Sequence, residues 1–528
     1  MKRSIILLVL VLVLQPSTLH ADEGNGQGQA YVRPTPVRIG GAVTIAFGSP
    51  GLAFGQALLI VADNPGPVVH PQLGLVCLDI LGPSAQIALS TLLDANGNAS
   101  LTVGVPNLPQ LVGFAPAYAL ALTVDFSIPG PVPISLSKTV RLNFANPDGY
   151  LPAGTLSITR ALHTATALGA DGADNRTRVL VAGGGSGTIL SPVASDTTEI
   201  YSPLHRSFSP GPTMAVERAL HQSLRLDDGR VLIIGGVDSN GLCSTSCETF
   251  DPATGQFTAT GSMIEARAGH VATKLANGKV LVTGGVATIM GGSTNIATVL
   301  MTARNSAELF DPVTGVWTLL PAMAAPRFEH AQVLLPGGGV LIAGGINGGT
   351  TVFGQGLPTY TNSCEVFDPT TNSFFSTGSL PQGLAGHGLS VLANGDVLAT
   401  GGIRNIFFVP TAVPDASRWN GATWSATATL SGGVAFHTQL ASRVGGQALI
   451  HGGLSGTLLA LGASAVAGRH DGTAFTAAAP IGVDPGIPGS SASARGSHTM
   501  VELFDGSYLL VGGADGNSAF ANAFTWIE

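Results

Sequence analysis

Seven histidines carry the clearest opportunity for chemistry in this chain of 528 residues: His163, His221, His270, His330, His387, His437 and His498. They recur at intervals of 49 to 61 residues, and each is followed some 14 residues later by a glycine pair closing a short apolar run. The pairs are Gly183-Gly184, Gly235-Gly236, Gly284-Gly285, Gly344-Gly345, Gly401-Gly402, Gly452-Gly453 and Gly512-Gly513; in the first unit the stretch Gly169 to Arg178 lengthens the interval. Imidazoles set around an axis could ligate a metal ion. A residue present once in every unit is better explained by a requirement of every unit. Beside a strand start, an imidazole can hydrogen-bond the backbone of a neighbouring unit and satisfy a buried polar group. The same reasoning covers Arg160, Arg218, Arg267, Arg327 and Arg495, each three residues before its histidine. The histidines are therefore read as scaffold, and no metal or other cofactor is expected.

Other catalytic constellations are missing: there is no Ser-His-Asp set, HExxH motif or glycine-rich phosphate loop. The four cysteines are Cys77, Cys243, Cys247 and Cys364. Cys243 and Cys247 share one loop and could close a small disulfide ring or remain buried thiols, and no further soft ligands stand nearby to complete a zinc site.

The elements that would position these residues follow from the repeat. Each unit offers a first run starting at its histidine, as in HVATKLANGKV from His270, and a second ending in Gly-Gly. A third resembles Glu-x-aromatic-Asp-Pro, as in Glu248 to Pro252 and Glu308 to Pro312. A fourth opens with an aromatic residue 13 positions before the next histidine: Tyr150, Phe208, Phe257, Trp317, Phe374 and Trp424. Phe475 precedes His498 by 23, an insertion of ten. Tyr150 has no first three strands before it, and the last unit supplies only three. The N-terminal strand 149–157 is therefore expected to complete the last unit and leave no open sheet edge. Asp-Pro pairs after the third run form turns, and glycine pairs let backbones approach closely.

The remaining chain divides by composition. Lys2 and Arg3, the apolar run Ile5 to Leu14 and Ala21 read as a signal peptide spanning 1–21. Its removal would take the net charge from −8 to −10, the two lost positive charges being Lys2 and Arg3. With no basic cluster, nucleic acid is excluded as a partner. Beyond the leader no run approaches the roughly 18 apolar residues of a spanning helix. Residues 22–34 read as a linker, and 35–146 as a separate β-sandwich, immunoglobulin-like or jelly-roll-like, from about seven short runs split by Gly, Pro and Asn. A period near ~50 residues marks 149–528 as a propeller. The expected fold is thus all-β: a seven-bladed propeller preceded by a small sandwich.

These units resemble the kelch-repeat family, best in RAGH…NGKVLVTGG…AELFDPVTGVW and RFEH…GGVLIAGG…CEVFDPTTNSF. The fifth and sixth units depart from the pattern, with Leu384 and Val434 in place of the arginine and Trp419-Asn420 or His470-Asp471 in place of aromatic-Asp-Pro. The secreted seven-bladed form is similar to the galactose-oxidase type of propeller. That resemblance implies a copper-radical site of two histidines, two tyrosines and a cysteine. Of the six tyrosines, Tyr150 and Tyr201 occupy ordinary repeat positions; Arg327-Phe328-Glu329-His330 is the nearest approach to an Arg-x-Tyr-His motif, and only Tyr360 with Cys364 suggests a pair.

Length variation points elsewhere. In an up-and-down blade the loop joining strands two and three opens on the same face as the loop to the next blade. Val286 to Ala307, Ile346 to Cys364, Ile403 to Ala416, Leu454 to Ala467 and the inserted Pro480 to Arg495 all fall on that face. Gly169 to Arg178 alone falls on the other. Insertions gathered on one face of a repeat array mark a binding face. Phe353, Tyr360, Arg404, Asn405, Phe407 and Phe408 are its candidate contacts, suited to an extracellular carbohydrate or protein. The expected protein is a secreted or cell-surface monomer acting as a binding module. The alternatives are a galactose-oxidase-like oxidoreductase with a degenerate site and a structural envelope or matrix component.

Overall fold

The apolar runs that close in Gly-Gly form the second strands of seven four-stranded antiparallel sheets. They are Val179–Ala182, Val231–Ile234, Val280–Thr283, Val340–Ala343, Val397–Thr400, Ala448–His451 and Tyr508–Val511. All of them are buried along their whole length. Continuous apolar runs, rather than alternating ones, are what a strand covered on both faces requires. The computed structural model describes residues 149–527 except 170–177, 189–190, 204, 289–301, 353–354, 443–444, 458–459, 483–493, 504–505 and 516–517; before residue 149 it describes chiefly strand backbone. Among the described residues the chain is all-β, and no helix is long and apolar enough to cross a membrane.

Two compact units part between Phe144 and Ala145. In the first, Tyr31–Pro34, Ala42–Gly48 and Asn98–Gly104 form one antiparallel sheet. Ile134–Leu136, Ala117–Val124, Gln56–Ala62 and Gln86–Leu92 form another, which Val140–Leu142 joins by pairing with Ala117–Val124. Ala42–Gly48 lies against Ala117–Val124.

The second unit repeats a single sheet order. In its first sheet Thr164–Ala167, Val179–Ala182, Thr198–Ser202 and Ser207–Pro210 lie side by side in chain order. The first strands of the seven sheets start one residue after the seven histidines: Thr164–Ala167, Gln222–Arg225, Val271–Lys274, Ala331–Leu334, Gly388–Val391, Thr438–Ala441 and Thr499–Glu502. Each packs against the next, and the last against the first, so these strands form a closed ring. Third- and fourth-strand aromatics stack across the first four sheets, with ring centroids 5.0 Å apart for Tyr201 and Phe208 and 4.9 Å for Phe310 and Trp317. Where Trp419 and His470 replace the usual phenylalanine they keep the register, opposite Trp424 and Phe475.

The last sheet is completed from the front of the unit. Gly149–Thr155 pairs with Asn522–Ile527, and the Tyr150 hydroxyl lies 2.8 Å from Nδ1 of His451 in the preceding sheet. Trp526 fills the space beneath them, edge-on to His451 at 4.5 Å.

A second closed circuit runs through the residues immediately before the histidines. Leu220 N donates to Leu162 O, Gly269 N to Leu220 O, Glu329 N to Gly269 O and Gly386 N to Glu329 O. Phe436 N donates to Gly386 O, Ser497 N to Phe436 O and Leu162 N to Ser497 O, all seven bonds falling between 2.8 and 3.4 Å. Every residue of this belt has positive φ, from 51° to 59°. Five of the seven are not glycine, and left-handed backbone costs such residues about 1–2 kcal/mol each.

Buried ion pairs fasten individual sheets. Arg160–Glu199, Arg218–Glu248, Arg267–Glu308 and Arg327–Glu365 lie 2.7 to 2.9 Å apart. Each guanidinium also donates to the carbonyl of the first glycine of its own sheet's pair (Gly183, Gly235, Gly284 and Gly344). Where Leu384 and Val434 replace the arginine, Ser417 and Gly468 stand at the glutamate's register position, so no carboxylate is stranded. Arg495 instead meets Asn522, through both its carbonyl and its side-chain oxygen. Removing one partner of a buried pair costs roughly 3–5 kcal/mol, whereas replacing both with apolar or small groups is far milder. Arg327→Leu should therefore cost about 3–5 kcal/mol in denaturant unfolding, and adding Glu365→Ser should recover much of that loss. Equal midpoints for the single and double variants would contradict this account.

Candidate functional site

The histidine side chains point across the seams between sheets. His163 Nε2 lies 3.0 Å from Thr499 Oγ1, and His221 Nε2 lies 2.9 Å from Thr164 Oγ1. His330 meets Thr283, His437 meets Thr400, and His498 meets Thr438, at 2.8, 3.0 and 3.1 Å. The neighbouring group is thus a threonine hydroxyl, where the sequence suggested backbone. The preceding sheet has no threonine at either position facing His270 (Gln222 and Ile234) or His387 (Ala331 and Ala343), and neither imidazole has a hydrogen-bond partner among the described residues.

The glycine pairs make these seams possible. A Cβ on Gly183, whose φ is 59°, would stand 2.6 Å from the Arg218 carbonyl oxygen and 2.8 Å from the ring of His221. No side chain fits there without moving backbone.

Burial keeps the imidazoles neutral. Desolvation, and then the charge of Arg160, pushes His163 down to about 3; desolvation and Arg267 do the same to His270. His387 falls to about 3 and His437 to about 4, while burial holds His221, His330 and His498 well below the usual value. A group neutral in the fold but basic in the unfolded chain contributes stability that is complete above about pH 6.5 and is lost as pH falls toward 3–4. Each such histidine contributes a slope of about 1.4 kcal/mol per pH unit in that window. Glu329, pushed up to about 7, opposes this between pH 4.5 and 7, but it is one group against seven. The unfolding midpoint should fall steeply from pH 6.5 to 4, and a His437→Gln variant should show a shallower fall. A midpoint flat across that range would refute the assignment.

The copper-radical set is not assembled. Cys364 Sγ donates to Asn362 O at 3.6 Å, and the thiol sits in a core with Leu341, Leu380 and Trp419. Tyr360 packs in a different cluster, against Ile403, Ala412 and Ala435. Among the described residues no group of three His, Cys, Asp or Glu side chains is placed to hold a metal ion. Cys243 and Cys247 are not joined either. Cys247 faces the sheet core with Leu232, Ile234 and Met263, where burial pushes its thiol up to about 12, while Cys243 packs into the cluster of Val237 and Val286.

Four of the connections between second and third strands form hairpins among the described residues. Gly185–Thr188 pairs with Ser191–Ala194, Ile346–Val352 with Gln355–Tyr360, Ile403–Ile406 with Val409–Ala412, and Leu454–Thr457 with Ala460–Ala463. Their bases bridge to the residues two before each histidine, as in Phe328 with Ile346 and Ala385 with Ile403, which puts them on the face carrying the sheet-to-sheet loops. Thr411 pairs with Thr457, joining two hairpins into one four-stranded sheet, and Asn405 Nδ2 donates to Pro358 O at 2.9 Å to tie in a third. The first hairpin, at 185–194, has no counterpart among the loop insertions picked out in the sequence; its Gly-Ser-Gly-Thr composition is not that of a strand.

The six candidate contacts separate on this frame. Phe353 lies outside the described residues. Tyr360 is at the base of its hairpin, not at a tip, and its hydroxyl is buried without a hydrogen-bond partner among the described residues; burial raises its pKa. Arg404 and Asn405 fasten the structure, Arg404 Nε reaching Asp415 Oδ2 at 3.2 Å. Phe407 and Phe408 form the two-residue turn between Ile406 and Val409 and are 93% and 69% exposed. Both have positive φ, 47° and 66°, the signature of a type I′ turn that normally takes Asn-Gly.

Sequence reasoning missed the axial cavity. The belt residues Leu162, Leu220, Gly269, Glu329, Phe436 and Ser497, together with six of the seven histidines, line a cavity of about 450 Å³. The varied residue types in the belt gave no pattern to detect.

No family model matches the chain, and no curated protein matches it. A solved structure described as "Structure of YjhT" aligns over 61% of this chain and 98% of that one, with 17% identity and a TM-score of 0.44. The strand order and pairing define the class independently: a β-propeller-like all-β protein of repeated four-stranded antiparallel sheets.

Proposed function

We propose that residues 149–528 form a seven-bladed kelch-type β-propeller, preceded by a β-sandwich at 35–146, in a chain exported by its leader. On this reading the protein is a binding module that takes an extracellular carbohydrate or protein through the hairpins of one propeller face. The seven repeated sheets with cyclic contact between their first strands support the architecture.

The turn at Phe407 and Phe408 carries the functional reading. Two adjacent phenylalanines in left-handed backbone, largely exposed, are costly for folding on both counts, at about 1–2 kcal/mol for each strained residue. An Asn-Gly turn would close the same hairpin without that cost. Aromatic side chains held out on a strained, short turn suit stacking on a sugar ring or insertion into a protein partner.

Phe407→Asn with Phe408→Gly should raise stability by about 1–2 kcal/mol in denaturant unfolding. The same variant should lose the ligands that the full chain captures from glycan arrays and extracellular protein extracts. Retention of every captured ligand by the variant would sink this reading.

A further inference from the structure

The axial cavity contains a group that the binding-face reading does not use. Glu329 belongs to the hydrogen-bonded belt, its backbone held at a φ of 51° and its side chain lining the cavity. Its carboxyl has neither an ion-pair nor a hydrogen-bond partner among the described residues, and the one influence on its proton affinity is desolvation. The four buried ion-paired glutamates, by contrast, each face an arginine. Around Glu329 the belt supplies Leu162, Leu220 and the ring of Phe436, with Ser497 as a small polar neighbour. The ring of Phe436 lies over Gly386, and the ring of Phe328 and a Glu329 carboxyl oxygen stand over Gly269, so neighbouring rings occupy the space at both glycines.

A volume of about 450 Å³ falls within the range of small-molecule sites. An uncompensated carboxyl beside the belt's phenyl ring and leucines, in a cavity whose wider lining also includes Thr164, Gln222, Ser223, Thr438 and Thr499, suits an organic cation: the carboxylate neutralises its charge, and the phenyl face and leucines cover its carbon atoms. The imidazoles lining the cavity (His163, His221, His270, His330, His437 and His498) are held neutral by burial and supply no competing positive charge. Among the belt side chains only Ser497 adds a further oxygen, fewer than the about six to eight that a calcium ion takes.

We propose that the axial cavity is a binding site for a small organic ammonium ion, anchored by the carboxylate of Glu329 and covered by Phe436, Leu162 and Leu220. This site is separate from the hairpin face and does not depend on its role. Since the free carboxyl is raised to about 7, binding below that pH releases a proton from Glu329.

The test is calorimetric titration of the full chain with butylammonium, using 1-butanol and butyrate as controls. Butylammonium should bind with a Kd on the order of 1 mM, and the neutral and anionic analogues at least about tenfold more weakly. At pH 6 the measured heat should vary with the ionisation enthalpy of the buffer. Glu329→Gln should weaken butylammonium at least about tenfold. Glu329→Gly places in the belt the residue already found at positions 269 and 386, so it should unfold no more easily than the parent while also losing binding. No saturable binding by the parent chain, or binding by Glu329→Gln or Glu329→Gly as tight as the parent's, would overturn the proposal. So would tighter binding of sodium or calcium than of butylammonium.

Discussion

The belt of seven backbone hydrogen bonds around the axis is the constraint on which the rest of the second unit depends. Each bond joins one sheet to the next, so the residue before every histidine must turn into left-handed backbone to offer N–H on one side and C=O on the other. A typical bond of this kind contributes about 0.5–1.5 kcal/mol net, and a left-handed non-glycine residue costs about as much. The belt is thus close to neutral in energy. Its value lies in geometry: it fixes the spacing of seven sheets and hence the position of every group that faces the axis.

Several repeated features follow from that spacing. Sheets held this close need a glycine pair at the end of each second strand, because a Cβ would meet the next sheet's carbonyl. They also need the imidazole to span the seam uncharged, since an ion at that depth would be desolvated without compensation. The buried arginine does for a single sheet what the belt does between sheets, collecting the carbonyls that the glycine bend leaves unpaired. Where the arginine is lost, its glutamate is lost with it, and the energetics of buried ion pairs account for this joint absence. Regularity here is an expression of packing, and function has to be sought in what is irregular.

Much of the strand pattern was legible because it obeys local rules. The apolar runs ending in Gly-Gly, the aromatic partners of third and fourth strands, and the strand start one residue after each histidine all have fixed spacing. The candidate site was legible only in part. Phe407 and Phe408 could be named from their place in an insertion, but Arg404 and Asn405 turned out to be fasteners, since a polar residue in a loop bonds whatever folding brings near it. Tyr360 was drawn to the hairpin base because its ring packs with Ile403 and Ala435, residues of other sheets. Proximity in sequence left Cys243 and Cys247 either bridged or free, and four residues of strand and bend direct them into different clusters.

The sequence by itself determined the repeat and the strand order within each sheet, because periodic side chains report periodic surroundings. Tertiary structure alone decided that Leu162, Leu220, Glu329, Phe436 and Ser497 share one belt and one cavity. Their types have nothing in common, and the condition they share is a backbone angle imposed by closure of the ring. That angle leaves each side chain free to differ, and so a single glutamate can stand in a belt of otherwise uncharged residues.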